Sequence, residues 1–280
     1  MQELYNHFLN NPDICTDTRA IKKGAIFFAL KGDNFNANQF AQKALNDGCS
    51  IAVIDEAQYK KDERFFLVKD VLETLQQLAN HHRRQLSIPI LAITGTNGKT
   101  TSKELENAVM SEKYVVLATK GNLNNHIGVP LTLLSIKKEH ELAIIEMGAN
   151  HQGEIAMLCK LAEPDHGMIT NIGKAHLEGF GGAEGVIKAK NELYDYIKQK
   201  KGKLFVNADN DLLMRLAGTA DKITFGTSEV TDYYGILMES NPFVKLKCKS
   251  KQDQQPIENK KLIETALIGK YNFENILAAA

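Results

Sequence analysis

The 280-residue chain has no tryptophan, only six prolines and four cysteines, and no excess of either charge. The cysteines, Cys15, Cys49, Cys159 and Cys248, form no CxxC pair. Neither a zinc knuckle nor a dithiol redox motif is therefore readable, and thiols spread this widely fit a reducing cytosol. Lys+Arg and Asp+Glu both number 34. That balance argues against broad binding to nucleic acid, which needs clustered positive charge, but it leaves room for a local cationic pocket. No run approaches the ~20 apolar residues of a membrane span. The opening MQELYNHFLNNPD has neither the basic nor the apolar region of a signal peptide. A cytoplasmic protein is expected, without a membrane span and without nucleic acid as a partner.

What is present is a globular composition, 43% hydrophobic and 24% charged, on a chain long enough for two domains. Residues 1–84 read as a small mixed α/β domain. Short apolar runs lie at 26–30, 51–54 and 65–68, a helical pattern spans 37–48, and a connecting helix covers 70–86. After Pro89 the texture changes. Continuous apolar runs at 90–94, 115–118, 142–147, 167–172 and 203–206 alternate with helical stretches. Such runs suit strands buried on both faces of a parallel sheet, with the helices as crossovers. Residues 85–280 are therefore expected to form a doubly wound P-loop domain with a mostly parallel central sheet. Beyond Asp221 the runs ITFGTS, YYGILMES, FVKLKCKS and KLIETALIG alternate more, which predicts antiparallel strands at the edge of this sheet.

The strongest local signal is ILAITGTNGKTTS, residues 90–102. An apolar strand runs into a Gly-rich turn and then a helix, the context a phosphate-binding loop requires. The N–H groups of Gly95, Thr96, Asn97, Gly98 and Lys99 would face phosphates at the positive end of the helix. Lys99 would reach the β- and γ-phosphates, and the Thr100 hydroxyl would hold Mg²⁺. The loop is shorter than G-x-x-x-x-G-K-[ST], since Ile93 stands where the first glycine would be. A plain strand–turn–helix with a solvated lysine is the alternative. The two glycines, the Lys-Thr pair and the preceding strand weigh against it.

The short form TGTNGKTT resembles the Mur ligases and their folylpolyglutamate synthetase relatives, and further segments match in order along nearly the whole chain. CTDTRAIKKGAIFFALKGDNF is similar to the family's UDP-binding domain. The likeness implies that Thr16, Asp17, Thr18, Arg19, Lys31 and Gly32 lie near a uridine diphosphate; alone, TDTR would read as a turn cap with a surface arginine. GNLNNHIGVPLTLL, residues 121–134, resembles the branch of the family that adds D-alanyl-D-alanine. There Asn122 and Asn124 would bind the UDP-substrate and Asn125 would serve phosphate transfer. AIIEMGANHQGEI places Glu146 at a strand end as a Mg²⁺ ligand. TNIGKAHLEGFGG supplies His176 as a second metal ligand, and KAKNEL supplies Lys190, a lysine often carbamylated in the family, where it bridges Mg²⁺. In IGKYNFENILAAA, Asn275 matches the residue that meets adenine, and Thr101 completes the ATP-binding set. Tyr271 stands where the family usually has histidine.

The resemblance implies a ligase, with ATP and Mg²⁺ as cofactors. It would join D-alanyl-D-alanine to UDP-N-acetylmuramoyl tripeptide through an acyl phosphate in peptidoglycan precursor synthesis, working as a monomer. Lys99, Asn125, His176 and Lys190 would carry the chemistry. Three alternatives stay open: the sister ligase that adds lysine or diaminopimelate as third amino acid, a P-loop switch NTPase, and a non-catalytic nucleotide-binding module. The chain stops at the opening of a helix with no stop signal. A further, C-terminal ligase domain is therefore expected beyond it, without which the chain would ligate poorly.

Overall fold

A computed structural model describes residues 1–173 and 177–280. They form two compact units: residues 1–87 with 126–137, and residues 88–125 with 138–280. In chain order the first unit supplies α1 (Gln2–Asn10), β1 (Ile14–Cys15), β2 (Ile26–Phe28), β3 (Lys31–Gly32), β4 (Phe35–Asn36), α2 (Ala41–Asn46), β5 (Ile51–Ile54), β6 (Phe65–Leu67) and α3 (Val71–Arg83). The second begins with β7 (Ile90–Thr94), α4 (Lys99–Met110) and β8 (Val116–Ala118). The chain then enters the first unit as α5 (Gly128–Leu134) and returns through β9 (Leu142–Glu146), α6 (Glu154–Ala162), β10 (His166–Ile169), α7 (Leu177–Phe180), α8 (Ala183–Gln199), β11 (Lys203–Asn207), α9 (Asp211–Ala217), β12 (Lys222–Gly226), β13 (Tyr233–Glu239), β14 (Phe243–Ser250), β15 (Ile263–Ile268) and α10 (Asn272–Ala279).

In the first unit β1, β2, β5 and β6 lie side by side in that order and are all parallel. Phe27, Ala29, Ala44, Ala52 and Ile54 form one core cluster. Asp70 caps α3 by accepting the Glu73 N–H at 2.7 Å. On α3, Leu75, Leu78 and Ala79 are fully buried, as are Val129 and Leu133 of α5. Each such large side chain contributes roughly 2 kcal/mol of burial. His82 pins the excursion further: one ring nitrogen lies 2.9 Å from the Ile136 carbonyl and the other 3.1 Å from the Tyr5 hydroxyl. The helical pattern over 37–48 resolves into a 3₁₀ turn, Ala37–Phe40, followed by α2. The turn is tightened by Asn36, which accepts the Asn38 N–H, while the buried Asn38 side chain binds Asp55.

The second unit is built on a nine-stranded sheet of order β15-β14-β13-β12-β11-β10-β7-β9-β8. From β8 to β13 every pair is parallel. The continuous apolar runs are buried throughout β7 and nearly so in β9 and β10. The expected antiparallel edge is smaller than the alternating pattern suggests. β12 extends the parallel sheet and β13 runs parallel to it, so only β14 and β15 are antiparallel. A parallel neighbour normally needs a long crossover. Here β13 overlaps β12 only at Phe225↔Tyr233 and Gly226↔Tyr234, so a short return loop suffices. β15 alternates in burial because α10 covers one face of the neighbouring strands and the other face is open.

β7 lies between β9 and β10 and reverses the strand order, the switch point at which open parallel sheets bind ligands beyond their carboxyl ends. Among the described residues no helix is long and apolar enough to cross a membrane.

Candidate active site

The carboxyl ends of β7, β9 and β10 converge on one loop. Gly95 has φ +149°, and a Cβ there would meet Thr170 Oγ1 at 2.0 Å. Gly98 has φ +79°, and a Cβ there would meet Asn275 Oδ1 at 2.7 Å. Both positions therefore need glycine twice over, for backbone conformation and for close approach. α4 starts directly after Gly98, so the N–H groups of its first turn lack intrahelical acceptors and mark an anion site. Thr101 sits half-buried in that turn.

The Lys99 ammonium donates to the carbonyls of Gly95, at 2.8 Å, and Thr96, at 3.0 Å, within the loop it belongs to. Burial lowers its pKa, opposed by the negative charge of Glu146. Glu146, at the end of β9, is 1% exposed. Its Oε2 accepts the Thr100 hydroxyl at 3.0 Å and its Oε1 accepts Asn124 Nδ2 at 2.8 Å. Its N–H donates to Thr119 Oγ1 at 2.9 Å, and the fully buried Lys103 donates to the Thr119 carbonyl at 2.7 Å. Thr94 donates to the Met147 carbonyl at 2.7 Å, fixing the next peptide along. Two strand ends and a helix thus hold one carboxylate in place. Thr100 and Glu146 offer hard oxygen donors side by side, a set that suits Mg²⁺ completed by phosphate and water.

Lys190, on α8, is buried, with its ammonium 5.6 Å from the centre of the Phe180 ring. Burial, followed by the positive charge of Lys99, brings its pKa down to about 8, against the pull of Glu154 and Glu192. Those two glutamates hold the loop after β9. Glu154 accepts the N–H groups of Asn150 and His151, and Glu192 accepts those of Gly153 and Ala156. Asn275 accepts the Ser102 hydroxyl at 3.2 Å and so ties α10 to the start of α4. Tyr271, at the edge of that helix, is 76% exposed.

Sequence reasoning placed these groups on separate motifs, and the fold brings Gly95, Thr96, Asn97, Gly98, Lys99, Thr100, Asn124, Glu146, Lys190 and Asn275 around one sheet end. Asn122 and Asn125 flank Asn124 and are exposed. His176 lies outside the described residues. Asn171, Thr170, Thr119 and Lys103 escaped the sequence reading although all make hydrogen bonds here. Asn171 lies within the TNIG run, where a lone asparagine in a turn carries no chemical signal of its own.

Six of the UDP-site candidates, Thr16, Asp17, Thr18, Arg19, Lys31 and Gly32, lie in the first unit, beyond the carboxyl ends of its adjacent parallel strands β1 and β2, whereas Asn122 and Asn124 belong to the second unit. Thr16 and Thr18 flank Asp17 in the turn after β1. Arg19 grips Asp17 through two guanidinium nitrogens, at 3.0 and 2.7 Å, and holds its carboxyl down at about 2. Lys31 and the open-sided Gly32 form β3, and Lys31 pairs with buried Asp55 at 3.1 Å.

The fold and site define an α/β protein with a phosphate loop at the switch point of a parallel sheet and a carboxylate beside it. The chain belongs to the Mur ligase family, whose middle domain matches residues 93–280. The UDP-N-acetylmuramoyl-tripeptide–D-alanyl-D-alanine ligase of Bacillus subtilis is 36% identical over 269 residues, covering 95% of this chain and 57% of the relative. The Escherichia coli ligase of the same name is 42% identical over 198 residues, 71% of this chain and 43% of the relative. Among solved structures, MurF from Acinetobacter baumannii superposes with a TM-score of 0.83 at 33% identity, covering 95% of this chain and 58% of that one. MurF from Thermotoga maritima in complex with ADP gives 0.81 at 28%, covering 97% and 62%. The matched part of the chain thus spans 43% to 62% of the length of these relatives.

Proposed function

We propose that the chain is the UDP-substrate- and ATP-binding part of a cytoplasmic ligase that joins D-alanyl-D-alanine to UDP-N-acetylmuramoyl tripeptide in peptidoglycan precursor synthesis. The observation that carries this reading is the convergence of Lys99, Thr100 and Glu146, held by Asn124, at one sheet end, in a chain whose relatives bear that name. Residues 1–84 would hold the nucleotide-sugar, through Thr16, Asp17, Thr18, Arg19, Lys31 and Gly32, with Asn122 and Asn124 reaching the substrate. Residues 85–280 would hold ATP through the stretch Gly95 to Thr101 and through Asn275; the Thr96 and Asn97 amides, expected to face phosphates, are engaged by Asn171, so the amides from Gly98 onward would make that contact.

The tripeptide's terminal carboxylate attacks the γ-phosphorus, and ADP leaves. The dipeptide amine then attacks the acyl phosphate, loses a proton and displaces inorganic phosphate. The first step brings two anions together, so its chief demand is charge neutralisation and alignment. Lys99 meets it by exchanging its loop carbonyls for phosphate oxygens, and the first turn of α4 supplies N–H donors. Mg²⁺ held by Thr100 and Glu146 would neutralise the β- and γ-phosphate oxygens. In this reading Asn125 orients the carboxylate, and His176 and carbamylated Lys190 hold the second metal. The enzyme would work as a monomer.

Calorimetric titration with UDP-N-acetylmuramoyl tripeptide, against the dipeptide form, tests the assignment. Preference for the tripeptide is expected. Preference for the dipeptide would transfer the chain to the sister ligase, and binding of neither beside clear Mg-ATP binding would revive the switch NTPase.

A further inference from the structure

The phosphate loop does not hold its shape alone. Asn171, just beyond β10, presents its carboxamide to a single residue of that loop: Oδ1 accepts the Asn97 N–H at 3.0 Å and Nδ2 donates to the Asn97 carbonyl at 2.9 Å. The Asn171 carbonyl accepts the Thr96 N–H at 2.9 Å. Thr170 adds its hydroxyl to the Asn97 carbonyl at 2.6 Å, and Gly173 donates its N–H to Thr96 Oγ1 at 2.9 Å. Gly95 lets the two segments approach this closely, for a Cβ there would also stand 3.1 Å from the Asn171 carbonyl.

This arrangement divides the loop's donors. The N–H groups of Thr96 and Asn97 point to Asn171 and are spent. Those from Gly98 onward follow the left-handed turn at φ +79° into the first turn of α4, where no intrahelical acceptor meets them. A carboxamide that grips both the N–H and the C=O of one residue fixes the two peptide planes flanking it. Those planes decide which amides face an anion.

We propose that Asn171 is the positioning residue of the phosphate loop, and that by clamping Asn97 at both ends it aims the amides of Gly98 to Thr101 at the polyphosphate of the nucleotide. The proposal rests on the nucleotide-binding reading above. Both polar ends of the Asn171 carboxamide are taken by Asn97, so its effect must pass through the loop and must grow with the number of phosphates bound.

The test uses the 280-residue chain, Asn171→Leu, which keeps the approximate volume and deletes both bonds, and Asn171→Ala. Residue-resolved amide exchange and calorimetry with Mg-ATP and with AMP are compared with the parent chain. Exchange at Asn97 should accelerate by at least about 10-fold, as expected when a hydrogen bond is lost, with the strands of the sheet unchanged. Mg-ATP affinity should fall by about 10-fold or more, on the scale seen when a supporting hydrogen bond behind a binding group is removed, while AMP affinity stays within about 2-fold. A general loss of fold would weaken both nucleotides alike and so overturn the positioning role. Unchanged Asn97 exchange, or unchanged Mg-ATP affinity beside a deprotected Asn97, would also overturn it and leave the nucleotide reading intact. A parent chain that binds no Mg-ATP would sink both.

Discussion

Asn124 donates through Nδ2 to Glu146 Oε1 at 2.8 Å, and its side chain packs against Gly148, where a Cβ would stand 2.9 Å from Asn124 Oδ1. The asparagine therefore orients the carboxylate, whatever it does for substrate. Asn124→Leu should leave Glu146 free to turn. In the full-length protein the apparent Mg²⁺ requirement should rise by roughly 10-fold, within the range typical for groups that support a metal ligand. A Mg²⁺ titration of the ligation rate measures this. An unchanged requirement would remove Asn124 from the metal site and return it to substrate contact alone.

Lys99→Ala deletes an ammonium that the phosphate loop holds at its own carbonyls. Loss of one transition-state charge stabiliser costs on the order of 10²–10³ in rate. Steady-state turnover in the full-length protein should show that loss in kcat, with the folded state preserved. Near-normal ATP turnover by the variant would sink the phosphate-loop mechanism.

Lys190 combines burial with a pKa of about 8. Its pKa is depressed, so the neutral amine fraction rises as pH rises through that value, and only the neutral amine can take up CO₂. Carbamylation should therefore be detectable near pH 8 as a ¹³C carbamate resonance in labelled bicarbonate, fading as pH falls, and absent in Lys190→Gln. A parent spectrum without that resonance would exclude the modification in this chain.

The sequence exposed what depends on local pattern. β7, β9 and β10 were visible because strands buried on both faces must be apolar throughout, and the loop after β7 because its glycines and lysine are adjacent in the chain. What stayed hidden depends on distant pairing. The clamp of Asn171 on Asn97 joins residues 74 apart, and the His82 contact with Ile136 joins residues 54 apart. Nothing local announces either. The excursion of 126–137 into the first unit was hidden likewise, since α5 reads as any short apolar helix. β12 misled because Lys222–Gly226 alternate polar and apolar in sequence like an antiparallel edge, whereas the burial of the strand does not alternate and its direction is set by pairing with β11.

Glu106 lies in the middle of α4, 4% exposed, and its Oε2 has no hydrogen-bond partner among the described residues. Burial raises its carboxyl to about 8 from the ordinary 4.5. The folded state thus keeps this proton to higher pH than the unfolded chain does. Between about pH 4.5 and 8 the folded state binds more protons, so the stability from this group is complete below pH 4.5 and is lost as pH rises through 8. At 1.36 kcal/mol per pKa unit the loss has a ceiling of roughly 4–5 kcal/mol. Glu106→Gln keeps the shape and cannot ionise, so it should match the parent near pH 5 and be more stable by a few kcal/mol, at most that ceiling, at pH 8. Urea denaturation of both proteins at pH 5, 6.5 and 8 reads the difference. Parallel stability profiles across that range would mean that the carboxyl is not held neutral in the folded protein.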